Sequence, residues 1–319
     1  MRALVTGGAG FIGSHLTERL LAEGHAVTVI DDLSTGRSEN LAAVSGSPSL
    51  RTHWASILED EGLQELVDEC DVVYHLAAAV GVRLILERPV ETIETNILGT
   101  DRILRAAAKG QKMVVIASTS EVYGKNDQVP LKEDDDGIFG PTTKSRWSYA
   151  CSKAIDEFLG LAYVRARGLP VVIVRYFNTI GPRQTGQYGM VVPRFVQQAL
   201  AGQPITVYGD GEQSRSFTDV DDAVRATIAV SRHPRAVGQV FNVGSGSEIT
   251  INQLADRVKV LTGSRSEVVH IPYEQAYEGG FEDPRRRVPN VSKIRALVDF
   301  VAAVDTTASL EKVIRFYRR

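Results

Sequence analysis

The octapeptide Thr6-Gly7-Gly8-Ala9-Gly10-Phe11-Ile12-Gly13 constrains the fold of this chain more than any other segment. It follows the apolar run Ala3-Leu4-Val5 and opens a helical pattern from Phe11 to Glu23 that ends at Gly24. Its glycines stand at Gly7, Gly10 and Gly13, spaced G-x-x-G-x-x-G. Glycine permits a tight turn from strand to helix, and its missing Cβ lets backbone N–H groups approach a pyrophosphate. The N-terminus of the following helix adds a favourable potential for that anion.

Asp31 ends the second apolar run, Ala26-Val27-Thr28-Val29-Ile30. A carboxylate there can accept from a ribose 2′-hydroxyl, which favours NAD over NADP as the cofactor. Asp32 doubles the acidity, and Arg37 is the one nearby residue suited to a 2′-phosphate. Further short runs at Val72-Val73-Tyr74, Met113 to Ile116 and Val171 to Val174 read as buried parallel strands. Helical stretches separate them, including Thr95 to Lys109, which ends at Gly110. This alternation predicts an α/β fold, a doubly wound parallel (Rossmann) sheet with a smaller α/β substrate-binding domain. Past Tyr176 the rhythm breaks into loops rich in Gly and Pro. The expected domains are therefore 1–176 and 177–319. Segments near 217–245 (Asp219 to Ser231, Val240 to Val243) are candidates to return to the first.

Composition narrows the function. Hydrophobic residues are 43% and charged residues 24% of the 319, ordinary globular values. A net charge of −3 gives no support to nucleic acid or an acidic membrane as a partner. No apolar run reaches the roughly 18 residues of a membrane span, and the start lacks the pattern of a secretory signal. Two cysteines, Cys70 and Cys151, form neither a disulfide framework nor a metal site, so a cytoplasmic setting is expected.

Chemistry enters at Ser145-Arg146-Trp147-Ser148-Tyr149-Ala150-Cys151-Ser152-Lys153. Tyr149 and Lys153 share one helical face. A free tyrosine, with a pKa near ~10, is a poor base at neutral pH. A nearby ammonium favours the phenolate, which makes Tyr149 a candidate general base toward a substrate hydroxyl. Upstream, a buried strand ends in Ser118-Thr119-Ser120-Glu121, at the carboxyl edge where ligands bind in such sheets.

Together these residues resemble the extended short-chain dehydrogenase/reductases of the NAD-dependent epimerase/dehydratase family, which act on nucleotide sugars. The similarity covers nearly the whole chain: Gly7 to Gly13, His75-Leu76-Ala77-Ala78, Asn96, Ser118 to Gly124, Tyr149 to Lys153, Arg175 to Pro182 and Gly209 to Asp219. It implies NAD reduced and reoxidised within one turnover, by way of a 4-keto sugar. The implied NAD contacts are Gly7, Gly10, Phe11, Ile12, Gly13, Asp31, Asp32, Ser34, Thr35, Gly36, Leu76, Ala77, Ala78, Asn96, Ser118, Tyr149 and Lys153. Asn178 and Arg215 would hold the nucleotide diphosphate of a UDP-sugar, with Arg146 and Val192 beside the substrate. The family also implies a homodimer built on the helices around Val90 to Lys109 and Ser148 to Arg167.

Ser120-Glu121 replaces the Asp-Glu pair of the family's sugar dehydratases, and Glu121 also argues against a UDP-glucose 4-epimerase. Gly140-Pro141 with Arg146 to Tyr149, and the stretch Gly280 to Pro289 with Arg287, resemble the UDP-glucuronate decarboxylases and UDP-apiose/UDP-xylose synthases. The latter use a cysteine where this chain has Ser120. The expected activity is decarboxylation of UDP-glucuronate, with Tyr149, Lys153, Thr119, Ser120, Glu121 and Arg287 as catalytic residues and no metal. UDP-sugar 4-epimerisation is the alternative, because Tyr149, Lys153 and Thr119 serve both. A non-catalytic NAD-sensing scaffold is disfavoured by the presence of both Tyr149 and Lys153.

Overall fold

The computed structural model describes residues 1–318 except 82–84, 86, 187–188 and 277–283. Seven parallel strands form the main sheet: β1 (Arg2–Thr6), β2 (Ala26–Asp31), β3 (Leu50–Trp54), β4 (Val72–His75), β5 (Met113–Thr119), β6 (Val171–Tyr176) and a last one far along the chain, Val240–Val243. Their spatial order runs from Val240–Val243 through β6, β5, β4, β1 and β2 to β3. The order reverses beside β1, and the turn carrying Gly7 leaves from its end. This is the doubly wound parallel sheet that the strand–helix alternation predicts.

Successive strand residues point to opposite faces, so the β-branched runs feed two cores. Val5, Val29, Tyr74, Val115 and Val174 pack against Leu16 and Leu20 of α1 (Phe11–Ala22). On the other face Leu4, Ile30, Val73, Val114 and Ile173 pack with Ile103 and Leu104. Those two belong to the 22-residue helix Pro89–Gly110. With the short helix α2 (Leu63–Asp68) before it, this long helix is α3, and α4 is Arg146–Arg167.

Two local features differ from the sequence reading. Strand β3 is unanticipated because it is an edge strand whose middle residues Arg51 and Thr52 are exposed, leaving no apolar run. Helix α3 begins at Pro89, inside its first turn, and includes Gly110. The left-handed cap is taken by Gln111 at φ 50.

Beyond β6 the chain builds β7 (Thr179–Ile180), α5 (Val191–Leu200), β8 (Ile205–Tyr208), β9 (Ser214–Ser216) and β10 (Thr218–Asp219). Helix α6 (Val220–Ser231) then packs its Val220, Ala223 and Val224 into the core with α1. The strand Val240–Val243, here β11, pairs with β6. The chain departs again into β12 (Glu248–Thr250), α7 (Ile251–Thr262), β13 (Val268–Ile271) and β14 (Arg286–Arg287). β9 lies between β12 and β14, and β13 pairs with β8. A separate core of Phe195, Val196, Leu254, Val258, Leu310 and Val313 holds this part together.

Candidate active site

A cavity of about 750 Å³ lies over the carboxyl ends of the central strands. Its lining runs from Gly7 and Gly13 through Thr119, Tyr149 and Lys153 to Asn178, Arg215 and Arg287. Residues from opposite ends of the chain therefore share one chamber.

The glycine turn is built by close approach. A Cβ on Gly13 would stand 2.1 Å from Gly7 O, and Gly7, at φ +69, would drive one to 2.8 Å from Ala77 N. Gly10 caps α1 without any side-chain hydrogen bond, which leaves first-turn N–H groups for an anion. A dinucleotide pyrophosphate fits this cradle. Asp31 closes β2 with Oδ2 accepting from Ala9 N–H at 2.9 Å and Oδ1 from Leu33 N–H at 2.8 Å. Burial raises its pKa against those two bonds. The carboxylate thus braces the glycine turn, and each oxygen keeps a lone pair for a further donor.

Phe11, Ile12, Asp32, Ser34, Thr35, Leu76, Ala77, Ala78 and Ser118 also line the cavity. Gly36 and Asn96 act from behind it. A Cβ on Gly36 would meet Asp31 Oδ1 at 2.9 Å. Asn96 is buried on α3, where Oδ1 accepts from Ala79 N–H at 2.9 Å and Nδ2 donates to Ser152 Oγ at 3.0 Å. It fastens the Ala77–Ala79 segment to α4.

Tyr149 and Lys153 occupy one face of α4, both buried. Burial, with Glu121 nearby, pushes the Tyr149 phenol well above its ordinary range, and a hydrogen bond with Thr119 opposes this. The lysine was expected to draw the phenol down. Instead its ammonium is engaged by Asp156 one turn on, with Nζ 2.7 Å from Oδ2. Asp156 is wholly buried, and burial raises its pKa against the pull of Lys153.

Behind Asp156 a polar chain continues. Thr100 favours its charged form, and Thr100 Oγ1 lies 3.1 Å from His75 Nε2. His75 Nδ1 in turn is 2.8 Å from Thr6 Oγ1. Burial, with Lys153 nearby, holds the imidazole down to about 3, so it is neutral. Sequence reasoning missed Asp156, although its i,i+3 spacing from Lys153 on one helix face was a usable signal.

Glu121 sits between two arginines. Arg287 Nη1 donates to Oε1 at 2.5 Å, and Arg146 Nη2 is 3.0 Å from Oε2. Burial works against its charge, but Arg146 and Arg287, helped by Arg215, pull the carboxyl down to about 2. Three arginines thus bear on one buried glutamate. Arg146 also stacks on Trp147, its Cζ 5.3 Å from the ring centroid. Ser120 is buried and lines the same cavity.

Asn178 takes a positive φ of 27 and donates from Nδ2 to Ser216 O at 3.1 Å. Arg215, central in β9, donates to Ser214 O at 2.7 Å. Val192 is buried on α5 and lines the cavity. Of the Gly280–Pro289 stretch, Gly280 to Asp283 lie outside the described residues.

The sequence profile of the NAD dependent epimerase/dehydratase family matches residues 3–244, and the chain belongs to that family. Among curated proteins, the UDP-N-acetyl-alpha-D-glucosaminuronate decarboxylase of Bacillus cytotoxicus is 46% identical over 99% of this chain and 98% of its own. UDP-glucuronic acid decarboxylase 1 of Xenopus tropicalis is 36% identical over 100% of this chain and 72% of its own. Among solved structures, the UDP-glucuronic acid 4-epimerase of Bacillus cereus, in complex with UDP-glucuronic acid and NAD, superposes with a TM-score of 0.90 at 29% identity. That match covers 100% of this chain and 99% of the other.

Proposed function

We propose that this protein uses NAD to remove carbon dioxide from a UDP-linked uronic acid by way of a 4-keto intermediate. The observation that carries the reading is Glu121 held between Arg146 and Arg287 in the cavity that Tyr149 lines. NAD bound over the glycine turn would supply reversible hydride chemistry at C4 of the sugar. Tyr149 accepts the proton of the 4-hydroxyl, with Thr119 orienting the phenol and Ser120 the sugar. Lys153 holds the nicotinamide ribose. Arg287 grips the C6 carboxylate, while Glu121, held ionised by Arg146 and Arg287, keeps that grip exchangeable, and the proton that C5 takes up comes from solvent. With the ketone at C4 the substrate is a β-keto acid, so the C5–C6 electron pair flows into the enolate as carbon dioxide leaves. Asn178 and Arg215 hold the diphosphate, the latter through its guanidinium fork.

Identity of 46% to the N-acetylglucosaminuronate decarboxylase against 36% to a glucuronate decarboxylase favours the 2-acetamido substrate over UDP-glucuronate. The structural likeness to the uronate 4-epimerase supports a second reading, in which the ketone is reduced from its other face with C6 retained. Incubation with UDP-N-acetylglucosaminuronate, UDP-glucuronate and UDP-glucose, with products read by mass and NMR, separates them. Loss of carbon dioxide from a uronate is expected. A C4 epimer that keeps C6 would overturn decarboxylation.

In this reading residues 1–176, with the returning segments near 217–245, form the NAD-binding unit, and the rest of 177–319 forms the sugar-binding unit. Val90, Leu98, Ile155 and Phe158 are exposed on α3 and α4, which pack side by side. An apolar face of that kind fits a second copy of the chain in a homodimer. Two free thiols support a reducing, cytoplasmic setting. Among the described residues no helix is long and apolar enough to cross a membrane.

A further inference from the structure

Asp156 is a buried acid that the proposed chemistry leaves without a task. It stands on α4 seven residues after Tyr149 and three after Lys153, spacings that put the three side chains on one helix face. Lys153 and Asp156 are both buried, with Nζ 2.7 Å from Oδ2, so two opposite charges meet out of reach of water. Along the helix axis Tyr149 stands about 6 Å before Lys153 and Asp156 about 4.5 Å beyond it. A carboxylate at that place has two effects. It supplies the partner that a buried ammonium needs and fixes the end of a flexible four-carbon stem. It also offsets the ammonium charge that would otherwise favour the Tyr149 phenolate.

The groups that face this trio divide by sign. Toward Tyr149, Glu121 in the turn after β5 opposes ionisation, while Thr119 at the end of β5 and Arg287 of β14 favour it. Toward Asp156, Thr100 of α3 favours the charged form and Glu157 of α4 opposes it. Glu157 is itself held by Arg175 of β6, through Nε at 2.9 Å and Nη2 at 2.7 Å. His75 of β4 is neutral. Asp156 thus joins Glu121 in resisting the phenolate, and it does so from the far side of the lysine. We propose that Asp156 is a positioning residue for the general base: it clamps the Lys153 ammonium in place and, by sharing that charge, keeps Tyr149 protonated to a higher pH than the lysine alone would allow. The assignment rests on the reading of Tyr149 as the base toward the 4-hydroxyl.

The direct test is an NMR pH titration of the NAD-loaded protein, isotopically labelled at tyrosine Cζ, with the Tyr149 signal assigned by its loss in Tyr149→Phe. Asp156→Asn keeps the size of the side chain and an oxygen for the ammonium, and removes the charge. Its Tyr149 midpoint should fall by about 1 pH unit or more, the scale on which one nearby charge acts. The acid limb of the pH profile for cofactor reduction by UDP-N-acetylglucosaminuronate should move down with it. Asp156→Glu, which keeps the charge, should leave midpoint and limb where wild type has them. Asp156→Ser, smaller and neutral, carries the same expectation as the amide and replaces it if the amide does not fold. A carboxylate that only holds the helix together would lower turnover equally at every pH and leave midpoint and limb in place. That result would overturn the proposal, as would an upward shift in either neutral variant. If Tyr149→Phe reduces the cofactor as fast as wild type, the reading of Tyr149 as the base falls and takes the proposal with it, even where the NMR shift is found.

Discussion

Arg287→Ala tests the reading of the arginine–glutamate cluster most directly. Arg287 is 5% exposed and bonded to Glu121 at 2.5 Å. With Arg146 it holds the Glu121 carboxyl ionised, helped by Arg215. A uronate substrate brings a further carboxylate to this cluster. After Arg287→Ala the cation proposed to grip C6 is gone. Truncating one partner of a buried charged pair costs about 2–5 kcal/mol. At ~1.4 kcal/mol per decade that slows carbon dioxide release by roughly 30- to 4,000-fold. Oxidation at C4 depends on Tyr149 and the cofactor, so it should slow much less. A single-turnover experiment with UDP-N-acetylglucosaminuronate follows both events, reduced cofactor by absorbance and carbon dioxide by trapping. Arg287→Lys, which keeps the charge and loses the fork, should recover part of the second phase. Equal slowing of both phases would refute the assignment, because Arg287 would then be supporting the fold or the nucleotide and not the carboxylate.

Other outcomes follow from the same geometry. Tyr149→Phe should lower turnover by roughly 10²-fold or more while calorimetry shows NAD binding nearly unchanged. Asp156→Ala leaves the buried Lys153 ammonium without its partner, and urea unfolding should show a loss of about 3–5 kcal/mol. Glu121, held at about 2 in the folded chain against an ordinary 4.5, contributes stability that is complete above the ordinary value and is lost as pH falls toward the folded one. The stability difference between wild type and Glu121→Gln, measured by urea titration at successive pH values, should therefore be flat near neutrality and shrink through the acid range. Phe158→Glu, on the apolar face shared by α3 and α4, should shift the light-scattering mass from dimer to monomer with the unfolding midpoint little changed.

Legibility of the sequence tracked how local each signal was. The runs at Ala3, Ala26, Val72, Met113 and Val171 announced themselves because strands covered on both faces are continuously apolar. Leu50–Trp54 stayed hidden because an edge strand with exposed Arg51 and Thr52 has no such run. The glycine turn, Asp31, Tyr149 and Lys153 were readable from spacing within one or two elements. Asp156 lay within reach of the same reasoning, but its burial and its effect on Lys153 depend on packing between α3 and α4. The meeting of Glu121 with Arg287 across 166 positions was expected from family resemblance, not from spacing.

The position of β11 at the sheet margin has a consequence for how the chain is made. β6 ends at Tyr176, and the strand that covers its open side is not complete until Val243. At roughly 5–20 residues per second of synthesis, the intervening stretch takes about 3–13 s to be translated. During that interval the nascent sheet presents Val171-Val172-Ile173-Val174 as an unpaired, strongly apolar edge, the kind that recruits another strand. Pausing of the ribosome between codons 177 and 240 should therefore promote aggregation of this protein more than pausing later in the message.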